Sequence, residues 1–220
     1  GGLFFFPFLG NVHLFDWDEI NFAESAREMI ETNDFFRVQI NYEPFWEKPP
    51  FFFWLQVLSM KLFGINEFAA RFPNALLGLI SLVTLYGIGK KLISINFGLI
   101  WSLVYFASFL PHMYFKTGII DPFFNFFIFL SLYFLILTIE KPTNKKSNSL
   151  VSGSFIGLAI ITKGPVGLLL LILTLLIYLI AKKGKVKIKP ITVFLFFISS
   201  LGVTFLWFGY ETITNSPWFI

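Results

Sequence analysis

Residues 68–91, FAARFPNALLGLISLVTLYGIGKK, determine the fold class of this protein. The first part of the stretch, residues 68–89, is mostly apolar over the ~20 residues that a helix needs to cross a bilayer. Lys90 and Lys91 follow it directly. Since short cytoplasmic loops are enriched in lysine and arginine, the pattern predicts a transmembrane helix whose lysine-bearing end faces the cytoplasm.

The composition of the whole chain agrees with that prediction. Of its 220 residues, 56% are apolar and 14% are charged, and the mean hydropathy is +0.74. Soluble domains carry about a quarter charged residues, so a soluble globular domain is excluded. The chain has no cysteine, which also excludes disulfide scaffolds, iron–sulfur clusters and thiolate zinc sites.

Other apolar stretches predict further spans. Between residues 150 and 181, one long tilted helix and two short ones are both compatible with the sequence, because Gly164 and Pro165 could break a helix there. The chain begins without Met and stops just after an apolar stretch, so we expect a piece of a longer polytopic protein. The predicted spans are residues 1–14, 68–89, 92–111, 121–139, 150–162, 165–181 and 190–208.

The order of the charges is more informative than their sum of +4. The short loops 90–91, 141–146 and 182–189 hold most of the basic residues. All three loops are cytoplasmic only if residues 150–181 cross the membrane twice, which we therefore expect. Every carboxylate except Glu140 then lies on the external side.

Residues 15–67 form the one long hydrophilic loop, and they hold most of the chain's carboxylates. Long loops in compact proteins are usually functional. Apolar residues at helical spacing predict two helices within it, at residues 19–33 and 50–63. Both are too short to span a bilayer, so we expect two helices lying in the outer interface.

The loop begins with the acidic run Asp16-Trp17-Asp18-Glu19. Mutual repulsion beside a membrane should raise the pKa of at least one of these carboxyl groups, which suits a general base. The alternative is a helix start, with Asp16 as N-cap and Glu19 as its capping-box partner. That alternative leaves Asp18 without a role.

Cations in or near the loop suggest an anion site. Lys48 follows Glu47 and precedes a double proline that starts a helix, so its ammonium group would lie near free backbone N–H groups. Arg71 stands at the head of the next span. For both Lys48 and Arg71, the alternative is a side chain that extends to lipid headgroups.

Asp121 opens an apolar run, and an ionisable group at that depth is a functional candidate. Its alternative is an N-cap, since Pro122 follows at the first helical position. His13 and His112 are isolated, and we expect both to be satisfied interfacial histidines. Carboxylates and cations together on one external face suggest transfer chemistry on a lipid phosphate. That face collects Asp16, Asp18, Glu19, Glu47, Lys48, Arg71, Lys116, Asp121 and Lys163.

An ordered set of motifs from about residue 10 to the end resembles a known family. The chain is similar to the N-terminal half of bacterial aminoarabinose transferases, which belong with the protein O-mannosyltransferases in the GT-C glycosyltransferase superfamily. The motifs are Asp18-Glu19, residues 23–29 (AESAREM), Glu47-Lys48-Pro49-Pro50, Trp54-Leu55, Phe63-Gly64, Ala69-Ala70-Arg71, Asp121 before a phenylalanine-rich helix, and Thr162-Lys163-Gly164-Pro165.

The resemblance implies an all-α polytopic GT-C bundle with two interfacial helices in its first external loop. It implies an inverting sugar transfer from a polyprenyl-phosphate donor to an acceptor hydroxyl at the periplasmic face of the bacterial inner membrane. The acceptor would be lipid A or another envelope glycan or protein. Membrane lipids are expected partners and nucleic acid is not.

The resemblance also implies residue roles. Asp18 would be the catalytic base, assisted by Glu19, and Asp121 the second essential acidic position. Glu47 matches a position that can ligate a divalent cation, and no other cofactor is expected. One departure concerns Asn21-Phe22, where many aminoarabinose transferases have Arg-Tyr. The residues expected to meet the donor phosphate are Lys48, Arg71 and Lys163.

The alternative function is a polytopic transporter or lipid flippase with an acidic external loop. Carboxylates that relay protons in such proteins lie within the spans, whereas here they lie mostly in the loop. No pair of inverted repeats is visible in the sequence. Both observations favour the glycosyltransferase.

Overall fold

A computed structural model describes residues 2–15, 17–141, 143–183, 186 and 189–215. The described residues are mostly helical and divide into two compact units. The first unit holds residues 1–45 and 52–122, and the second holds residues 46–51 and 123–220. The helices are α1 Gly2–Phe5, α2 Asp18–Thr32, α3 Phe51–Phe63, α4 Glu67–Leu92, α5 Ile95–Ala107, α6 Phe109–Phe115, α7 Asp121–Glu140, α8 Lys145–Lys163, α9 Val166–Ala181 and α10 Pro190–Asn215.

The long hydrophilic loop, residues 15–67, contains the two predicted helices, α2 and α3. Between them lies a small antiparallel hairpin of β1 (Gln39–Ile40) and β2 (Glu43–Pro44), which the sequence did not predict. The hairpin is tied to α2 because the backbone N–H of Tyr42 donates to Glu28 Oε2 at 2.9 Å. The first predicted span differs more, since only Gly2–Phe5 is helical before the chain enters turns.

The stretch 92–111, predicted as one span, is two helices bent by 71°. The physical reason is Pro111, which cannot donate a backbone hydrogen bond to Ala107 four residues earlier and whose ring collides with that carbonyl. Accordingly α5 ends at Ala107 and α6 begins at Phe109. By contrast α4 starts at a regular cap, with the Asn66 side chain accepting the Ala69 N–H at 2.9 Å.

In the second unit the helix break predicted near Pro165 is present. Helix α8 ends at Lys163, Gly164 takes φ +87°, a conformation that glycine adopts readily, and α9 begins at Val166. Helices α8 and α10 pack so closely that a Cβ on Gly153 would collide with the Phe196 carbonyl, and one on Gly157 with Val203. Serine bonds also join helices of this unit: Ser149 of α8 donates to the Thr192 carbonyl of α10, and Ser131 of α7 donates to the Ser152 carbonyl of α8.

Three of the described helices are long and apolar enough to cross a membrane: Glu67–Leu92, Asp121–Glu140 and Pro190–Thr214. The bent pair α5 and α6 makes a fourth if it counts as one span. Helix α9 is apolar but shorter, so a double crossing by residues 150–181 stays a prediction. The all-α polytopic membrane fold is confirmed.

Candidate functional site

The first unit is built around a buried ion pair between Glu19, in the first turn of α2, and Arg71, in the second turn of α4. Arg71 Nε donates to Glu19 Oε1 at 2.8 Å, and Nη2 donates to Oε2 at 2.9 Å. Only 1% of Glu19 and 2% of Arg71 is exposed. Such a two-pronged arginine–carboxylate contact fixes orientation as well as charge.

The remaining N–H groups of Arg71 bind carbonyls of the segment that precedes α2. Nη1 donates to Leu9 and Val12, both at 2.7 Å, and Nη2 donates to His13 at 2.9 Å. These bonds and the two to Glu19 use all five donors of the guanidinium group. No donor is left for a phosphate, so the geometry does not support the expected phosphate-binding role of Arg71.

The carboxylate oxygens of Glu19 are also fully used in hydrogen bonds within the protein. Its carboxylate also accepts the backbone N–H of Phe15 at 2.7 Å and the N–H of Gly118. A carboxylate with both oxygens occupied by donors cannot reach a substrate, so Glu19 is not placed as a catalytic group. It connects three pieces of chain instead: the entry to α2, helix α4 and the segment before α7.

One buried amide, that of Asn74, holds that last segment in place, and a second, that of Gln56, joins α3 to α4. Asn74 Nδ2 donates to the carbonyls of Thr117 and Ile119, the latter at 2.8 Å, and Gln56 Nε2 donates to Ala70 at 3.0 Å. Asn74 and Gln56 are fully buried. The sequence analysis did not select either residue, although polar side chains on otherwise apolar helices are the signal that would have found them.

Asp18 is adjacent to Glu19 and has the opposite environment. Its side chain is exposed and makes no hydrogen bond or ion pair with any described residue. The preceding residue, Trp17, has φ 52° and ψ −86°, which is strained for a side chain other than glycine. Trp17, not Asp16, precedes the helix, and its side chain makes no capping bond. Asp16 lies outside the described residues.

Asp121 is the first residue of α7, and its side chain is half-buried. The segment that leads to it is the one fixed by Glu19 and Asn74, so the backbones of Asp18 and Asp121 are positioned by one connected set of bonds. Lys116, in the same unit, is also half-buried, and its Nζ donates to the Pro7 carbonyl at 3.3 Å.

In the second unit, Lys48 is half-buried beside two buried prolines, and Glu47 is exposed. The next residue after the prolines, Phe51, packs its ring against Phe123 at 6.3 Å and Phe127 at 5.3 Å between centroids. Lys48 is therefore held close to the first turns of α7.

Lys163 also lies near the first turn of α7. Its Nζ lies 5.7 Å from the centroid of the Phe124 ring, within the range of a cation–π contact. Gly164, with φ +87°, follows it and ends α8. Of the two lysines predicted to meet the donor phosphate, Lys163 therefore contacts Phe124 directly, and Lys48 lies three residues before Phe51, whose ring packs on Phe123 and Phe127.

Glu47, the predicted metal ligand, is not part of a cluster of metal-binding side chains among the described residues. Within the part of the chain that the structure describes, no three His, Asp or Glu side chains come together in a way that could hold a metal ion. A divalent cation at Glu47 would need ligands from elsewhere, and the role of Glu47 stays a prediction.

The bundle and its acidic first loop define a polytopic membrane protein of the GT-C type. Crystal structures of ArnT from Cupriavidus metallidurans show the same fold. The apo structure superposes with a TM-score of 0.88 at 24% identity, over 98% of this chain and 41% of that one. A second structure, with undecaprenyl phosphate bound, gives a TM-score of 0.86.

The family model for dolichyl-phosphate-mannose-protein mannosyltransferase matches residues 47–208, and the chain belongs to this family. It is 32% identical over 213 residues to an uncharacterized protein of Aquifex aeolicus, covering 92% of this chain and 40% of that protein. It is 31% identical over 172 residues to the undecaprenyl phosphate-alpha-4-amino-4-deoxy-L-arabinose arabinosyl transferase of Wigglesworthia glossinidia brevipalpis, covering 76% and 30%. The resemblance found in the sequence is confirmed, and the chain spans less than half the length of these relatives.

Proposed function

We propose that this chain is the N-terminal part of a membrane glycosyltransferase that takes a sugar from a polyprenyl-phosphate donor. The observation that carries the proposal is the family match over residues 47–208. One relative is named for transfer from undecaprenyl phosphate, and a similar structure binds that lipid. The acceptor is a hydroxyl of an envelope lipid, glycan or protein at the external face of the bacterial inner membrane.

Asp18 is the proposed base of the reaction. The acceptor oxygen attacks the anomeric carbon and its proton passes to the Asp18 carboxylate. The bond between that carbon and the phosphate oxygen breaks, and the polyprenyl phosphate leaves with the electron pair, so the configuration inverts. The exposed Asp18 carboxylate, unengaged by any described residue, supports this role. Asp121 is the proposed second acidic group of the site.

The neighbours of Asp18 have positioning roles in this proposal. Glu19 and Arg71 were expected to act on substrate, but their hydrogen bonds are directed at backbone groups and at each other. We assign them to holding the entry of α2 and the approach to Asp121. Lys48 and Lys163 remain the proposed donor-phosphate ligands.

Substitution of the base tests the function. In the full-length protein, Asp18→Asn should lower sugar transfer by at least about 100-fold, the usual contribution of general-base catalysis. Glu43→Gln is the matched control, because Glu43 is another exposed carboxylate of the same loop. Transfer is measured with a labelled polyprenyl-phosphate sugar and an envelope extract as acceptor. Undiminished transfer by a correctly inserted Asp18→Asn protein would exclude Asp18 as the base.

The donor site has a separate test. Lys48→Ala should weaken binding of the polyprenyl-phosphate sugar in a titration, since it removes a charge-assisted hydrogen bond worth about tenfold in affinity. Lys61→Ala removes an exposed lysine of α3 and serves as control. An unaltered affinity would return Lys48 to the alternative of an ordinary headgroup contact.

A further inference from the structure

A cavity in the first unit takes no part in the proposed transfer. Its volume is about 260 Å³, and it lies between the segment before α2 and the end of α6. One wall is apolar, formed by Phe8, Leu9, Val12 and Phe15. The other wall carries polar side chains from α4, α6 and the residues that follow α6, which are Arg71, His112, Lys116 and Thr117.

Two polar side chains of this wall, His112 and Lys116, have unused hydrogen-bonding capacity among the described residues. His112 Nδ1 is buried and has no hydrogen-bond partner among the described residues, which overturns the expectation of a satisfied histidine. The imidazole is held edge-on against Phe4 at 5.2 Å between ring centroids, so it is fixed in place. A buried polar atom without a partner is costly unless something else binds it.

Lys116 supplies charge to the same wall. Its ammonium group has three N–H donors, and the described part of the chain engages it through one long bond to the Pro7 carbonyl, 3.3 Å. His112 and Lys116 are four residues apart, at the spacing that places side chains on one face of a helix. Arg71 contributes little net charge because Glu19 neutralises it. The cavity is therefore locally cationic.

The rim of the cavity is apolar and open. Phe8 is 74% exposed and Val12 is 57% exposed. A small soluble anion would leave these side chains uncovered, whereas the acyl chains of a lipid would cover them. Arg71 places the cavity at the start of α4, the end that the positive-inside rule assigns to the external surface.

We propose that this cavity binds the phosphate of an anionic phospholipid, with Lys116 Nζ as the donor and the acyl chains against Phe8 and Val12. Lys48 is not among the residues that line the cavity, and binding there does not depend on the transfer reaction.

The test is native mass spectrometry of the full-length protein titrated with phosphatidylglycerol, with phosphatidylcholine and inorganic phosphate as the other arms. Wild-type protein should retain phosphatidylglycerol over phosphatidylcholine, and Lys116→Gln should bind it about tenfold more weakly. The control Lys61→Gln should retain it as wild type does. Lys116→Arg, which keeps the charge, should restore most of the binding.

A second variant keeps the proposal testable if Lys116→Gln does not fold. Val12→Glu changes an exposed side chain while the Val12 carbonyl stays available to Arg71, and the new carboxylate should repel the phosphate and weaken retention. Equal retention by wild-type, Lys116→Gln and Val12→Glu proteins would overturn the proposal. Displacement of the lipid by inorganic phosphate at equal concentration would overturn it too, because the acyl chains would then contribute nothing.

Discussion

The irregular segments of the first unit and the helices of the second are held in place by different means. In the first, a buried ion pair and two amides bind backbone carbonyls and N–H groups of neighbouring segments. In the second, α8 and α10 approach until glycine Cα atoms meet the opposite backbone. Lipid chains are as apolar as leucine, so burying apolar side chains alone does not drive helices together in a bilayer.

The difference follows from what each unit must position. The first unit fixes irregular chain, residues 6–15 and 116–120, whose backbone groups need partners. The second fixes regular helices, whose backbone groups are already paired, so small residues suffice. The ion pair and the buried amides fix the loops that carry the proposed acids, and close packing at small residues fixes the spans.

Breaking the ion pair should have the largest effect on stability. Arg71→Leu leaves Glu19 buried without its partner, and losing one member of a buried pair costs about 3–5 kcal/mol. Thermal unfolding of the detergent-solubilised protein measures the loss. Arg27→Leu is the control: Arg27 pairs with Glu24 and Glu31 on the surface of α2, where a pair is worth at most about 1 kcal/mol.

A double variant sharpens the result. If the cost of Arg71→Leu comes from the stranded carboxylate, adding Glu19→Gln should recover part of it. An equal loss in Arg71→Leu and Arg27→Leu proteins would mean that the buried pair is no more important than a surface one.

Filling the contact between α8 and α10 should have the next largest effect. The methyl group of Gly153→Ala would collide with the Phe196 carbonyl, and overpacking of this kind costs about 1–3 kcal/mol. Gly202→Ala is the same change on α10 at a position with no heavy atom within 4 Å of the added carbon. That control should be neutral or slightly stabilising, because alanine favours helix. Similar unfolding temperatures for the two variants would contradict close packing as the basis of the contact.

Removing one hydroxyl of the second unit should have a smaller effect. Ser131 Oγ donates to the Ser152 carbonyl at 2.9 Å, and interhelical bonds of this type average about 0.6 kcal/mol. Ser131→Ala should lower stability by that amount in the same unfolding assay. Ser154→Ala is the control, since Ser154 Oγ is exposed and donates within its own helix to Leu150. A loss as large as that of Gly153→Ala would mean that polar contacts dominate this unit too.

Much of this fold is predictable from sequence because membrane spans depend on composition and length. The helices α2, α3, α4 and α7 lie close to their predicted positions, and the break at Gly164 is where backbone chemistry requires it. The bend before Pro111 could have been predicted from the same chemistry, since a proline removes the bond to the residue four positions earlier.

The site was less predictable, because adjacent residues of one type can have opposite environments. Asp18 and Glu19 are neighbouring carboxylates at the start of one helix, yet one is exposed and the other is 1% exposed. Which of them is buried depends on Arg71 and Gly118, far away in sequence. Sequence patterns identify the acidic cluster, and only tertiary contacts decide which of its members is buried and which is exposed.

The smallest expected effect is a dependence of the α2–hairpin contact on pH. The hydroxyl of Tyr42 donates to Glu31 Oε2 at 2.6 Å, and this bond, with help from Arg27, lowers the pKa of the Glu31 carboxyl below its ordinary 4.5. A lowered pKa in the folded state means that the stabilisation is complete above the ordinary value and is lost as the pH falls through the folded value. The hairpin should therefore loosen under acid conditions, most clearly at low salt, because both groups are exposed.

Hydrogen–deuterium exchange of residues 39–44, corrected for intrinsic rates, measures this loosening as the pH is lowered from neutral. Tyr42→Phe removes the donor, so the pKa of Glu31 should rise toward its ordinary value and the acid-dependent part of the protection should shrink. Glu43→Gln changes an exposed carboxylate of the same hairpin and should keep the wild-type profile. If the Tyr42→Phe protein also kept the wild-type exchange profile, the Tyr42–Glu31 bond would not hold the hairpin. The bond to the buried Glu28 would then hold it, and this surface segment, like the segments around Arg71, would depend on a buried charged group.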